Sequence, residues 1–159
     1  MARVIRPATL ADLETVVRFN AAIAKESEGK ILDDAILRRG VTALFNDAHK
    51  GFYTLVEDNG EVVGQTLITY EWSDWRNGCY WWIQSVYVRA DARRTGVFRS
   101  LYDHLQTAAM QDPTVIGLRL YVDHDNELAQ KTYHSLGMEL EPYKLMGRYP
   151  LPGKSNAIG

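Results

Sequence analysis

One stretch of this chain leaves little freedom in how it can fold. Tyr80 to Val88 is apolar and rich in β-branched and aromatic residues, and so is Val115 to Val122; both suit strands. Between them, Phe98, Leu101, Tyr102 and Leu105 recur at helical spacing in a segment from about Gly96 to Met110, which Asp112-Pro113 ends. A strand, a crossover helix and a second strand in succession make a βαβ unit, whose two strands lie parallel. Any fold for this chain has to be built around that unit.

The rest of the chain completes a sheet. Val4-Ile5-Arg6 reads as a short strand closed by Pro7, and Thr9 with Asp12 opens a helix carrying Leu13, Val16 and Val17. A polar segment, Lys25 to Lys30, interrupts before a second helical pattern in Leu37, Val41, Leu44 and Phe45. Phe52 to Glu57 and Val62 to Tyr70 read as strands joined by the hairpin signal Asp58-Asn59-Gly60. Glu71 to Gly78 reads as a loop into the Tyr80 strand, so these three strands form an antiparallel meander. Asn126 starts a last helix that Gly137 closes, and a final strand is expected within Met138 to Arg148. The order β-α-α-β-β-β-α-β-α-β describes a mixed α/β (α+β) domain around one sheet. With no repeat or linker in evidence, residues 1–150 are expected to form a single domain and 151–159 a flexible tail.

Bulk properties narrow the function classes. A formal net charge of −2 over 159 residues provides no basic field for nucleic acid. Cys79 is the sole cysteine, which rules out a disulfide framework and a cysteine metal site, and His49, His104, His124 and His134 show no ligand spacing. No metal is therefore expected. No apolar run approaches the roughly 20 residues of a membrane helix, and the first residues lack the long apolar stretch of a signal peptide. The expectation is a cytoplasmic protein with no membrane partner. There is no G-x-S-x-G elbow for Ser-His-Asp chemistry, and Gly153-Lys154-Ser155 only mimics the end of a phosphate loop.

One turn suggests a ligand. Between the Tyr80 strand and the crossover helix lies Arg89-Ala90-Asp91-Ala92-Arg93-Arg94-Thr95-Gly96-Val97-Phe98, followed by Arg99. Backbone N–H groups at a helix start have no intrahelical partner and sit at the positive end of the helix dipole, which makes an anion site. Gly96 allows close approach, and Arg93, Arg94 and Arg99 add charge. A pyrophosphate suits such a turn, although on spacing alone an exposed basic turn that binds nothing reads equally well.

The turn is similar to the Q/R-x-x-G-x-G/A signature of the GNAT superfamily of acyl-CoA-dependent N-acetyltransferases, with Arg93 first and Gly96 fourth. Ile83-Gln84-Ser85-Val86-Tyr87-Val88 resembles that family's fourth strand. Asp125 to Met138 resembles its second cofactor motif, with Asn126, Ala129, Tyr133 and Gly137 in the matching places. The sixth position departs, being Phe98 rather than Gly or Ala, and Arg94 stands where Gly is common. The resemblance implies a GNAT-like fold whose central parallel strands splay, with acetyl-CoA as co-substrate and no metal. It further implies that Val86 and Val88, flanking Tyr87, bind the pantetheine arm through their backbones. Arg93, Arg94, Thr95, Gly96, Val97, Phe98 and Arg99 would hold the pyrophosphate, and Asn126, Ala129 and Tyr133 the rest of the cofactor. Tyr133 matches the family's general acid, and the Val86 N–H would polarise the thioester oxygen.

The fourth strand lacks the glutamate that often serves as base. Gln84 can position a water or an amine there, and loop acids (Glu26, Glu28, Glu71, Asp74) are the remaining candidates. Trp72, Trp75, Trp82 and Gln84, with Glu28, are the expected acceptor contacts, because aromatic walls beside acids favour a cationic amine; strand alternation turns at least one of Trp81 and Trp82 inward. The function implied is acetyl transfer to a small-molecule amine. The alternatives are an acyl-CoA-binding module without catalysis and a protein or peptide N-acetyltransferase. A homodimer would cover exposed sheet edges.

Overall fold

The computed structural model describes residues 3–155, which divide after Leu120 into two compact units. The first carries a five-stranded sheet in the order β1-β2-β3-β4-β5. Its strands are β1 (Val4–Pro7), β2 (Phe52–Asp58), β3 (Glu61–Ser73), β4 (Gly78–Val88) and β5 (Val115–Leu120), with helices α1 (Leu13–Glu28), α2 (Asp34–Phe45) and α3 (Val97–Gln111). β1 to β4 pair antiparallel and β4 pairs parallel with β5, as the crossover requires.

Alternation along the strands sorts the core into two layers. Leu55 and Tyr53 face α1 and α2, packing with Val16, Val17 and Val41. Their neighbours Val56 and Val63 face α3, packing with Val97 and Leu101. Leu55, Val56, Val16 and Ile68 are fully buried, and each contributes roughly 1.5–3 kcal/mol of apolar transfer energy.

Several boundaries differ from the sequence expectation. Lys25 to Glu28 continue α1, because Gly29 in the left-handed conformation closes the helix only there, its N–H bonding to the Lys25 carbonyl. The loop expected over Glu71–Gly78 shrinks to a four-residue turn, since β3 runs to Ser73 and β4 begins at Gly78. In the second unit, α4 (Glu127–Ser135) forms as expected and ends at Gly137, whose φ is 89°. The strand expected within Met138–Arg148 does not form: no described residue after 137 lies in a strand or helix. Leu140, Tyr143, Leu145 and Met146 are exposed there. β propensity expresses itself only against a neighbouring strand, and Pro142 and Gly147 interrupt the run. Of the expected tail, residues 151–155 are exposed and 156–159 lie outside the described residues.

The start of α1 is held by charge. Asp12 receives both terminal nitrogens of Arg6 at 2.9 Å, while Arg6 Nε donates to Glu57 at 2.7 Å. Asp12 also accepts from the Thr9 N–H at 2.8 Å, completing the capping box. The Arg6 guanidinium holds the Asp12 carboxyl below its usual 3.8. A depressed carboxylate stabilises the fold above its unfolded pKa and loses that contribution as pH falls through the folded one. Asp12→Asn is therefore expected to cost about 1–2 kcal/mol at pH 7. In urea titrations at several pH values, the gap between variant and wild type should close below pH 3.8; a constant gap would contradict this.

Candidate functional site

The site begins with a break in β4. Gln84 lies opposite Leu67 and Tyr87 opposite Gln65, so Ser85 and Val86 together face the single residue Thr66. Ser85 adopts φ 49°, the left-handed region, and the strand bulges. The bulge reverses the alternation. Before it, Trp82 and Gln84 hydrogen-bond Glu71 and Thr69, on the α1–α2 face that Leu67 shares. After it, Tyr87 stacks on Phe19 of α1, ring centroids 4.7 Å apart, while Val88 joins the α3 layer.

Pairing with β5 stops at the same place. The last matched residues are Ile83 and Leu120, so Gln84 to Val88 have β3 on one side and no β5 residue on the other. Val86 and Val88 thus lie past the end of the ladder that β4 shares with β5. The Val88 carbonyl accepts from Arg93 Nε at 2.9 Å.

The turn follows directly. Ala90–Ala92 form one 3₁₀ turn, Arg94 has φ 62°, and Gly96 caps α3 with φ 83°. Gly96 brings no side chain to the cap, so the start of α3 carries no hydrogen bond from its capping residue's side chain. Val97 is buried, and its methyl lies where a Cβ on Gly64 would come within 2.8 Å. Gly64 therefore lets the helix start settle onto the sheet. Phe98 is half-buried, its ring 6.4 Å from that of Tyr102, so the bulky sixth residue turns its side chain away from the helix end.

The arginines divide. Arg93 reaches Glu26 near the end of α1 at 2.6 Å and lies over the Tyr87 ring, so its charge faces α1. Arg94 and Arg99 are exposed. Arg3, which the sequence reading did not single out, donates to the Thr95 carbonyl at 3.2 Å, the Thr95 hydroxyl at 3.3 Å and the Ser100 hydroxyl at 3.4 Å. It braces the turn from just before β1, a contact between residues too distant in sequence to be read from spacing.

An open cleft of about 280 Å³ lies between α1, α2 and the bulge, lined by Asn20, Ile23, Ala24, Ser27, Glu28, Leu32, Leu37 and Ser85. Of the expected acceptor contacts, only Glu28 lines it. Trp72 and Trp75 are exposed, at 61% and 89% of their surface. Trp82 donates to Glu71 Oε1 at 2.8 Å; Arg119 donates to the same oxygen at 2.9 Å while stacked on Tyr80 at 3.7 Å. Trp81 is the inward one, meeting Phe52 edge-on.

The candidate bases are all engaged. Glu26 pairs with Arg93 and Glu28 with Lys30, while Asp74 accepts from the Trp75 N–H. The Trp82 N–H, then Arg119, hold Glu71 below the usual carboxylate range, so it is a poor proton acceptor. Cys79 is half-buried, its thiol directed at the Tyr80 carbonyl.

In the second unit, Asn126 caps α4, its side chain accepting from the Ala129 N–H at 3.1 Å. Tyr133 is half-buried, and burial raises its hydroxyl above the usual 10.0. Asp123, His124 and Asp125 bring one ligand atom each within 4.8 Å of the others, all on exposed side chains. The sequence reading saw no metal spacing there because the three are adjacent. No described helix is long and apolar enough to cross a membrane.

Comparison with known proteins adds the family. The profile of the acetyltransferase (GNAT) family matches residues 19–138. No curated protein sequence matches the chain. A possible acetyltransferase from Clostridium difficile 630 is similar at 42% identity and a TM-score of 0.89, over 95% of this chain and 99% of that one. A predicted acetyltransferase with acetyl-CoA from Clostridium acetobutylicum is similar at 18% identity and a TM-score of 0.74, over 92% and 96%. The ribosomal-protein-alanine N-acetyltransferase of Brucella melitensis biovar Abortus 2308 has 18% identity and a TM-score of 0.74, over 93% and 100%. The last two share the fold alone. With a bulged β4 running into a glycine-capped helix start, and a family profile spanning both, the chain belongs to the GNAT acetyltransferase family.

Proposed function

We propose that this protein transfers the acetyl group of acetyl-CoA to the amine of a small molecule. The observation that carries the reading is the half of β4 past its ladder with β5, Gln84–Val88, which leads straight into the start of α3, where Gly96 brings no side chain to the cap. A pantetheine arm extends along such a strand edge, and its pyrophosphate rests on such a helix start. The cleft beside Ser85 is the acceptor's place. At about 280 Å³ it lies just below the usual range for ligand pockets, roughly 300–1,000 Å³, which favours a compact amine over a peptide.

The reaction needs few protein groups. The neutral amine attacks the thioester carbonyl carbon, forming the C–N bond, and the Val86 N–H donates to the developing oxyanion. Collapse breaks the C–S bond, and Tyr133 gives its proton to the departing thiolate of CoA. The nitrogen then loses its extra proton through water to the tyrosinate, since the nearby carboxylates are held by other partners. The protein is expected to act in the cytoplasm and without a metal.

Thiol release from acetyl-CoA, followed with a panel of primary amines, amino acids and short peptides, tests this. Turnover should be fastest with compact amines. Peptides outpacing every free amine would transfer the assignment to a protein acceptor. A melting temperature raised by acetyl-CoA with no thiol release from any acceptor would leave a binding module.

A further inference from the structure

Gln65 lies on β3 with none of its surface exposed, an unusual place for an amide. Its Nε2 makes two donations, to the Ser85 carbonyl at 3.1 Å and to Asn20 Oδ1 at 2.8 Å. Asn20 in turn donates from Nδ2 to the Tyr53 hydroxyl at 3.0 Å. The direction of this chain follows from one atom. A backbone carbonyl only accepts, so Gln65 must present its NH₂ group to Ser85, and the same NH₂ then faces Asn20. Asn20 must therefore turn its oxygen inward and its nitrogen towards Tyr53. Both Gln65 protons are spent, and Gln65 Oε1 is buried with no hydrogen-bond partner.

An unsatisfied buried oxygen is costly, and an apolar residue of similar shape would avoid that cost. What Gln65 supplies in return is position. It holds the carbonyl of the left-handed bulge residue Ser85, with Thr66 holding the preceding one, that of Gln84, at 3.2 Å. It also sets the rotamer of Asn20. Ser85 and Asn20 are both lining residues of the cleft. Asn20 Oδ1 keeps one lone pair, and Nδ2 one proton, beyond those the chain uses. We propose that Gln65 is a positioning residue for acyl transfer, fixing the β4 bulge and aiming Asn20, and that Asn20 reads the acceptor as a compact primary amine with a short apolar body. The apolar part fits Ile23, Ala24, Leu32 and Leu37, and the N–H donors suit the spare lone pair of Asn20. This rests on the amine-acetyltransferase reading above.

The test uses the full chain with n-butylamine, 2-phenylethylamine and glycinamide as acceptors. Gln65→Met keeps the volume and removes both donors. Gln65→Glu in its protonated form can donate to only one of the two acceptors, and Asn20→Leu removes the reader while leaving the Gln65–Ser85 hydrogen bond in place. For the best of the three amines, Gln65→Met is expected to raise the acceptor KM and lower kcat by about tenfold each, the scale of one lost buried hydrogen bond. Asn20→Leu should raise only the acceptor KM, and both variants should leave the acetyl-CoA dissociation constant within about twofold. Unchanged acceptor KM and kcat in a folded Gln65→Met, whatever its melting temperature, would overturn the positioning role while leaving the enzymatic reading intact. If wild type turns over none of the amines, the enzymatic reading fails. Calorimetric amine binding then decides the relay: binding lost in Asn20→Leu and Gln65→Met supports it, and binding unaffected, or absent in wild type, overturns it. Should Gln65→Met not fold, Gln65→Glu and Asn20→Leu give the same comparison.

Discussion

Tyr133→Phe is expected to lower kcat by a factor of roughly 10² or more, the usual scale for losing a general acid, with the acetyl-CoA dissociation constant nearly unchanged. The phenyl ring keeps the shape of the half-buried side chain and loses only the hydroxyl group, and with it the transferable proton. Burial shifts that hydroxyl above its ordinary 10.0, so it stays protonated through the neutral and mildly alkaline range. The pH profile follows from the sign of that shift. Activity should rise with pH as the acceptor amine loses its proton, and Tyr133 should impose no descending limb below about pH 10. A thiol-release profile that turns down near pH 8, or a Tyr133→Phe variant with wild-type kcat, would remove Tyr133 from the chemistry.

Gly51→Ala is expected to give the largest loss of stability. Gly51 precedes β2 with φ 146°, and a Cβ there would stand 2.0 Å from the backbone oxygen of Ile68 in β3. Neither the strand backbone nor the fully buried Ile68 can withdraw, so the β2–β3 ladder must shift. The cost should exceed about 3 kcal/mol, a fall in melting temperature of roughly 6–12 °C for a chain of this length. Gly40 gives the matched control. It sits within α2 with nothing within 4 Å of its would-be Cβ, so Gly40→Ala should raise the melting temperature slightly. Equal melting temperatures for the two variants would show that the close approach at Gly51 yields at little cost.

The fold was legible where periodicity is strong. The meander, the crossover and the parallel pair follow from alternation in Phe52–Val88 and from the helical spacing of Phe98 to Leu105. Legibility failed where residue types are neutral. Lys25, Glu26, Ser27 and Glu28 suit a loop and a helix end equally, and only the left-handed Gly29 decides between them. The apolar residues of Met138–Arg148 satisfy a strand pattern, but a pattern cannot supply a neighbour.

For the site, the turn at Arg93–Phe98 was visible because backbone geometry demands particular residues there. The bulge was not, since the left-handed position is filled by Ser85, which carries no such signature. Gln65 left a faint signal: a long polar side chain set between the apolar pairs Val62-Val63 and Leu67-Ile68. The ion pair between Arg93 and Glu26 left none, because it joins a turn to a helix through the third dimension.

The half-turn that Ser85 puts into β4 makes one strand behave as two modules. Upstream residues such as Trp82 and Gln84 present a polar face that can be rewritten by substitution without touching the cofactor's edge. Downstream, on the proposed reading, Val86 and Val88 would act through main-chain atoms, which substitution alters little. Under the proposed function, acceptor preference could then diversify while the co-substrate keeps its seat, and the join between the two modules would tolerate change least.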